Sequence, residues 1–198
     1  MQDLKQSGSI ILPDAKLHYN PDFLSTREAD SLFHNLLHSV SWKEDSIRIF
    51  GKTYMQPRLT ALFGEVGKSY SYSGIQMDPI PFTRELADLK TRIETSSGER
   101  FTTCLLNLYR DGNDSNGWHA DNEKELGKHP FIASVSLGAT RIFHIKHRQD
   151  KKLRFRMQLL HGSLLLMGGP MQEFWLHQIP KSRQPLGKRI NLTFRKII

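Results

Sequence analysis

Between Ser25 and Val40 the chain reads STREADSLFHNLLHSV. Leu32, Phe33, Leu36, Leu37 and Val40 recur every three or four residues, which gathers them on one face of a helix. Ser25 with Glu28 three residues on is a capping-box pair, so the helix is predicted to start there. A second helix is predicted in TRELADLKTRIETSSG, with Thr83 as cap, Leu86, Leu89 and Ile93 inward, and Gly98 as the stop. After Gly98 the period drops to two. FTTCLLNLY, FIASVSLG, TRIFHIKH, LRFRMQLL, SLLLMG and RINLTFRKI are short and rich in β-branched and aromatic residues. Turn signals such as DGND, GA, HG and GGP separate them, so each reads as a strand. Many short strands in so little chain indicate a sandwich or jelly roll. The expected architecture is therefore α+β: N-terminal helices packed on one sheet of a double-sheet β core. A division near residue 98 follows within a single domain spanning residues 1–198, and residues 1–8 are expected to be loosely held.

Against this background NGWHADNEKEL stands out, because His119 and Asp121 are two residues apart just after a predicted strand. In extended chain such a pair points to one side. An imidazole beside a carboxylate can bind a metal, hold a proton or form an ion pair. Two His and one carboxylate on one face make the set used by non-haem iron oxygenases. Spacing leaves the third ligand open among His129, His144, His147, His161 and His177.

The last strand adds a second anomaly. In RINLTFRKII, Arg189, Asn191, Thr193 and Arg195 share one face, and Ile190, Leu192 and Phe194 the other. Inward arginines among apolar neighbours are costly unless anions meet them, and a chelating dicarboxylate would suit two guanidiniums beside a metal. An exposed edge strand with solvated arginines is the alternative.

Net charge is +8, which favours a polyanionic partner such as nucleic acid. Cys104 is the only cysteine and lies in an apolar run, so no intrachain disulfide forms. No apolar run is long enough to span a membrane, and the N-terminus lacks a signal-peptide pattern. The expectation is an intracellular monomer, in a bacterial cytoplasm or a nucleus, with no membrane partner.

WHADNE, IASVSLGATRIF, FWLHQI and RINLTFR together resemble the AlkB family of Fe(II)- and 2-oxoglutarate-dependent dioxygenases, over most of the chain from about Phe50 onward. The resemblance implies that His119, Asp121 and His177 ligate Fe(II) and carry catalysis. It implies that Arg189 meets the distal carboxylate of 2-oxoglutarate, that Arg195 helps hold Asp121, and that Asn107 and Tyr109, together with Asn191 and Thr193, complete the co-substrate pocket. With O2, such enzymes oxidise the N-alkyl group of a damaged base, which leaves as formaldehyde.

A base must leave the duplex stack to be reached. Tyr72 is the expected stacking wall, Ser73 lines the same pocket, and Glu123 is placed to meet an exocyclic amine. Without the resemblance Tyr72 reads as an ordinary cross-strand aromatic and Glu123 as a solvated acid. In RIFGKTY, Gly51 and Lys52 fit the centre of a tight hairpin turn. That would put Phe50 at the tip as an intercalating wedge, with Lys52 and Arg58 near phosphates. Phe50 in the core is the alternative. Two basic stretches, KHRQDKKLRFR and KSRQPLGK, would grip DNA strands. The expected activity is oxidative dealkylation of bases such as 1-methyladenine and 3-methylcytosine in DNA. An RNA demethylase and a non-catalytic nucleic-acid-binding β domain are the rivals.

Overall fold

Both helices form where apolar spacing and caps put them. The computed structural model of the 198-residue chain describes every position except Phe50, Gly51, Ser69, Ser73 and Gly74, and side chains at 47–52 and 69–77 also lie outside the description. Helix α1 spans Thr26–Ser39 behind the Ser25–Glu28 capping box. Helix α2 spans Arg84–Ser97, capped by Thr83 and stopped at Gly98, whose φ of +74° costs glycine little. Leu36 of α1 and Leu86, Leu89 and Ile93 of α2 are buried in one core with Leu106, Val135, Leu192 and Phe194. Each such side chain contributes about 1.5–3 kcal/mol of hydrophobic stabilisation.

The strands run in chain order as follows. β1 (Gln2–Asp3), β2 (Gly8–Leu12) and β3 (Ala15–Asn20) precede α1. Between the helices lie β4 (Ser46–Ile49), β5 (Lys52–Met55), β6 (Leu59–Gly64), β7 (Tyr70–Tyr72) and β8 (Ile75–Met77). After α2 come β9 (Thr103–Tyr109), β10 (Asn116–His119), β11 (Ile132–Gly138), β12 (Arg141–His147) and β13 (Arg154–Leu159). β14 (Ser163–Gly168), a single helical turn α3 (Met171–Phe174), β15 (Trp175–Ile179) and β16 (Arg189–Arg195) complete the chain.

Seven strands form the larger sheet, in the order β2-β3-β14-β11-β16-β9-β6. Five form the smaller, β1-β13-β12-β15-β10. Between them a second core joins Tyr19, Ile132, Leu165 and Met167 of one sheet to Phe143, Ile145, Met157 and Trp175 of the other. This is a double-sheet jelly roll with the helices packed on the outer face of the larger sheet. β4–β5 and β7–β8 are separate two-stranded hairpins.

Three expectations are corrected. Residues 1–8 are not all loose: β1 pairs in parallel with β13, and Leu4 is buried, because an apolar anchor outweighs the polar residues around it. Position 98 is not a seam, since β2, β3 and β6 belong to the same sheet as β9, β11, β14 and β16. Their sequence signal is weak because SIILPDAKLHY is interrupted by Pro13-Asp14, which turns the chain between β2 and β3. Lys52 is not a turn residue: it pairs with Ile49 at the start of β5. Glycine suits either centre of a two-residue turn, so pattern alone does not fix the register. Phe50 and Gly51, between those paired residues, lie outside the described residues.

Candidate active site

The site forms where the two sheets approach at one end of the roll. β16 pairs with β9 so that Arg189 stands beside Tyr109 and Asn191 beside Asn107. Period two turns Arg189, Asn191, Thr193 and Arg195 into the space between the sheets, while Ile190, Leu192 and Phe194 join the helix-side core. From the smaller sheet, β10 and β15 pair at His119 and His177. The cavity they enclose holds about 510 Å³ of empty space, including its open mouth.

One ligand atom each from His119, Asp121 and His177 lies within 4.8 Å of the others. Among the described residues this is the one cluster of His, Cys, Asp and Glu suited to a metal. The His119 and His177 rings meet edge to face with centroids 4.2 Å apart. His177 Nε2 is 3.7 Å from Asp121 Oδ2. His119 Nδ1 donates to the carbonyl of Gly117 at 2.7 Å, which leaves Nε2 as its lone-pair nitrogen. Burial drives the His177 pKa down to about 3, with His119 and Arg195 adding to the effect and Asp121 opposing it. Burial likewise lowers His119. At Asp121 burial acts upward, but Arg195, His177 and His119 together outweigh it and hold the carboxyl at about 2. At neutral pH the cluster is therefore two neutral imidazoles and one carboxylate, a donor set that accepts a divalent cation without first losing protons.

At the other pole Arg189 is 1 % exposed. Its Nη2 donates to Ser136 Oγ at 2.8 Å and Asn191 Oδ1 at 2.9 Å. Its Nε and Nη1 are buried with no hydrogen-bond partner among the described residues. Burial lowers its pKa to about 10, and the neighbouring Tyr109 partly counters that. It remains a cation at neutral pH, with donors to spare for an anion. Asn191 is engaged: it accepts from Ser134 Oγ and Arg189, and donates to Thr193 Oγ1. Asn191 and Thr193 thus brace Arg189 from along its own strand.

A model described as the 2OG-Fe(II) oxygenase superfamily matches residues 16–195. Bovine (Bos taurus) alpha-ketoglutarate-dependent dioxygenase alkB homolog 3 is 42 % identical over 186 residues, covering 89 % of this chain and 64 % of the relative. The chain belongs to the AlkB family of 2OG-Fe(II) oxygenases. It spans a little under two thirds of that curated relative's length. DNA oxidative demethylase ALKBH2 from Mus musculus is 38 % identical over 86 % of the chain and 76 % of the relative. The solved structure of OsALKBH1 superposes with a TM-score of 0.66 at 15 % identity, covering 94 % of this chain and 98 % of that one, a likeness of fold. For an AlkB-family dioxygenase the expected requirements are Fe(II), 2-oxoglutarate and O2, and both poles of the cavity suit them.

The other histidines point elsewhere. His161 Nδ1 accepts from the Gly138 N–H and its Nε2 faces Asp30, and His129 faces Glu173 on the surface. His144 meets Gln178, and His147 packs against Trp175. Arg58 departs from expectation. It is 4 % exposed, and its Nε donates to Asn107 Oδ1 at 2.8 Å, so it braces the cavity rather than reaching outward for phosphate. Its place at the head of β6, directly across from the β9 residues of the site, accounts for this. Asn107 is left with its amide nitrogen as donor. Glu123 is half-buried at the start of a short helical turn and does not line the cavity. The side chains of Lys52 and Tyr72, and all of Phe50 and Ser73, lie outside the described residues.

Four contributors belong to no motif. Ser134 and Ser136 alternate along β11 on the cavity face, so period two in IASVSLG carried their signal. Gln172 accepts the Asp121 N–H through Oε1 at 3.0 Å from 51 residues away, and nothing local announces it. Arg141 is buried behind Tyr109.

Proposed function

We propose that this AlkB-family dioxygenase removes alkyl groups from nucleic-acid bases, with DNA as the substrate. The observation that carries the co-substrate half of the reading is the pairing of a His–Asp–His cluster with a buried arginine that retains two unsatisfied nitrogens at the opposite pole. His119, Asp121 and His177 would hold Fe(II), and Arg189 the distal carboxylate of 2-oxoglutarate. When bound, iron, 2-oxoglutarate and O2 supply the oxidising chemistry: an N-methyl carbon gains oxygen, the C–N bond breaks, and formaldehyde, succinate and CO2 leave. The protein's own work is orientation. Arg195 and Gln172 fix the Asp121 carboxylate and backbone, Ser136 and Asn191 fix Arg189, and the jelly roll walls exclude water.

The nucleic-acid half rests on charge and kinship. Lys151, Lys152, Arg154 and Arg156 in one basic stretch are exposed, as are Lys181, Arg183 and Lys188 in the other. The mouse relative bears the name of a DNA oxidative demethylase. Purified protein incubated with Fe(II), 2-oxoglutarate and an oligonucleotide carrying 1-methyladenine should yield succinate and formaldehyde in equal amounts. Succinate without base repair would retain the oxygenase and remove the nucleic-acid substrate.

A further inference from the structure

Arg141 opens β12 and is 2 % exposed. Among the described residues no carboxylate pairs with it. Instead its guanidinium donates to three backbone carbonyls: Asp111 at 3.2 Å, Asp114 at 2.8 Å and Pro180 at 2.6 Å. Asp111 and Asp114 lie in the loop that leaves β9 after Tyr109. Pro180 begins the loop that leaves β15 after His177. A bond from the Ser182 N–H to Gly112 O, 2.8 Å, continues the seam between the same loops. A buried cation held by backbone carbonyls, with Asp114 and Asp111 acting on it only through space, is costly, so this arrangement needs a compensating role. The Arg141 Cζ is 5.4 Å from the centre of the Tyr109 ring, and the Arg189 Cζ approaches the same ring at 5.2 Å.

We propose that Arg141 is a positioning residue for the distal carboxylate of the co-substrate. It ties the two loops behind the cavity and holds Tyr109, and so fixes the pole at which Arg189 presents its free nitrogens. It touches neither the metal cluster nor the reacting atoms. Its charge also acts on Arg189 across the Tyr109 ring, with Asp114 and Asp111 offsetting part of it. The proposal rests on the reading of the cavity as a 2-oxoglutarate site.

The test is calorimetric titration of Mn(II)-loaded protein, which needs no turnover. Two ligands are compared: 2-oxoglutarate, and 2-oxovalerate, which keeps the 2-oxo acid end and lacks the distal carboxylate. Arg141→Gln should weaken 2-oxoglutarate by about tenfold or more and leave 2-oxovalerate nearly unchanged, a selective loss of at least ~1.4 kcal/mol. Gly112→Ala provides a second route that leaves the core untouched. A Cβ there would meet the backbone oxygens of Gln184 and Ser182, each at 3.0 Å, and part the same seam. It should reproduce the selective loss, and it carries the test if Arg141→Gln does not fold. Equal losses on both acids, or none on either, would overturn the proposal. A parent protein that binds neither acid would remove the co-substrate reading itself, and this proposal with it.

Discussion

Arg195 Nη2 sits 2.6 Å from Asp121 Oδ1, with both side chains almost fully buried. The pair joins the last strand of the larger sheet to the residue that follows β10, and so ties the metal pole to the co-substrate strand. Charges this deep are costly alone. Breaking such a pair by removing one partner typically destabilises by about 3–5 kcal/mol. Asp121→Asn should therefore do two things at once. It removes a metal ligand, so Mn(II) or Co(II) affinity should collapse. It also removes the buried carboxylate that Arg195 donates to, so the metal-free protein should unfold at lower denaturant. Retained metal affinity would show that His119 and His177 bind through another carboxylate.

Arg189 is predicted to set co-substrate affinity. Lysine keeps the charge but loses the planar array of donors, and it cannot serve Ser136, Asn191 and an incoming carboxylate together. Hydrogen bonds to charged groups contribute about 1.5–3 kcal/mol, so Arg189→Lys should raise the KM for 2-oxoglutarate by roughly one to two decades. At saturating 2-oxoglutarate kcat should change far less. An unchanged KM would move the carboxylate to another donor.

How much of this was legible in the sequence depended on distance along the chain. The alternation in RINLTFR placed four inward residues correctly because a strand's faces are set by period two alone. The caps of both helices were legible for the same local reason. His177 could not be separated from His129, His144, His147 and His161 by spacing, because that choice is made by β10 pairing with β15 across four intervening strands, β11 to β14. Arg58 and Gln172 brace the site from a loop and a helical turn far from the H-x-D segment, and Arg141 lies behind it at the start of β12; a lone arginine or glutamine in sequence looks like surface. β2 and β3 are not legible in the sequence because a Pro-Asp turn splits a short amphipathic stretch into pieces too small to show their alternation.

Asp114 links stability to pH. Burial acts to raise its pKa from the ordinary 3.8, but hydrogen bonds from the Arg110 side chain and backbone N–H outweigh that, and the net shift is downward. A carboxyl with a lowered folded-state pKa stabilises the native form above its unfolded value, and this contribution fades as pH falls through the folded value. Thermal melts of the parent and Asp114→Asn should therefore differ by a constant amount above the unfolded carboxylate range, about pH 4, and converge only as pH falls from there through the lowered folded-state value. A gap of equal size at both ends of that range would rule out the charge as its source.

Cys104 should behave as an inert core residue. It is fully buried, and burial pushes its thiol pKa well up, with Arg195 only partly countering. The thiolate is the reactive form, so a disulfide reagent at mildly alkaline pH should find almost none in native protein. One thiol per chain should react after denaturation. Rapid labelling of the native protein would mean that β9 opens locally, against its place inside the larger sheet.

The last prediction concerns Phe50, which lies between β4 and β5 in the sequence. If its ring is a wedge, it contributes only where there is a base stack to enter. Extruding a base from a duplex costs a few kcal/mol, and an inserted ring offsets part of that. A single strand already presents its bases and gains nothing from the ring. Phe50→Ala should therefore slow repair of a methylated duplex strongly and repair of the same lesion in a single strand only slightly. Losing roughly 1–3 kcal/mol of stacking corresponds to about one to two decades in rate. A ring packed into the protein predicts the opposite pattern: both substrates suffer alike, and the melting temperature falls. Both rates and the melt can be measured on one preparation. Equal losses on duplex and single strand would leave Phe50 a structural residue and assign strand selection to the basic stretches instead.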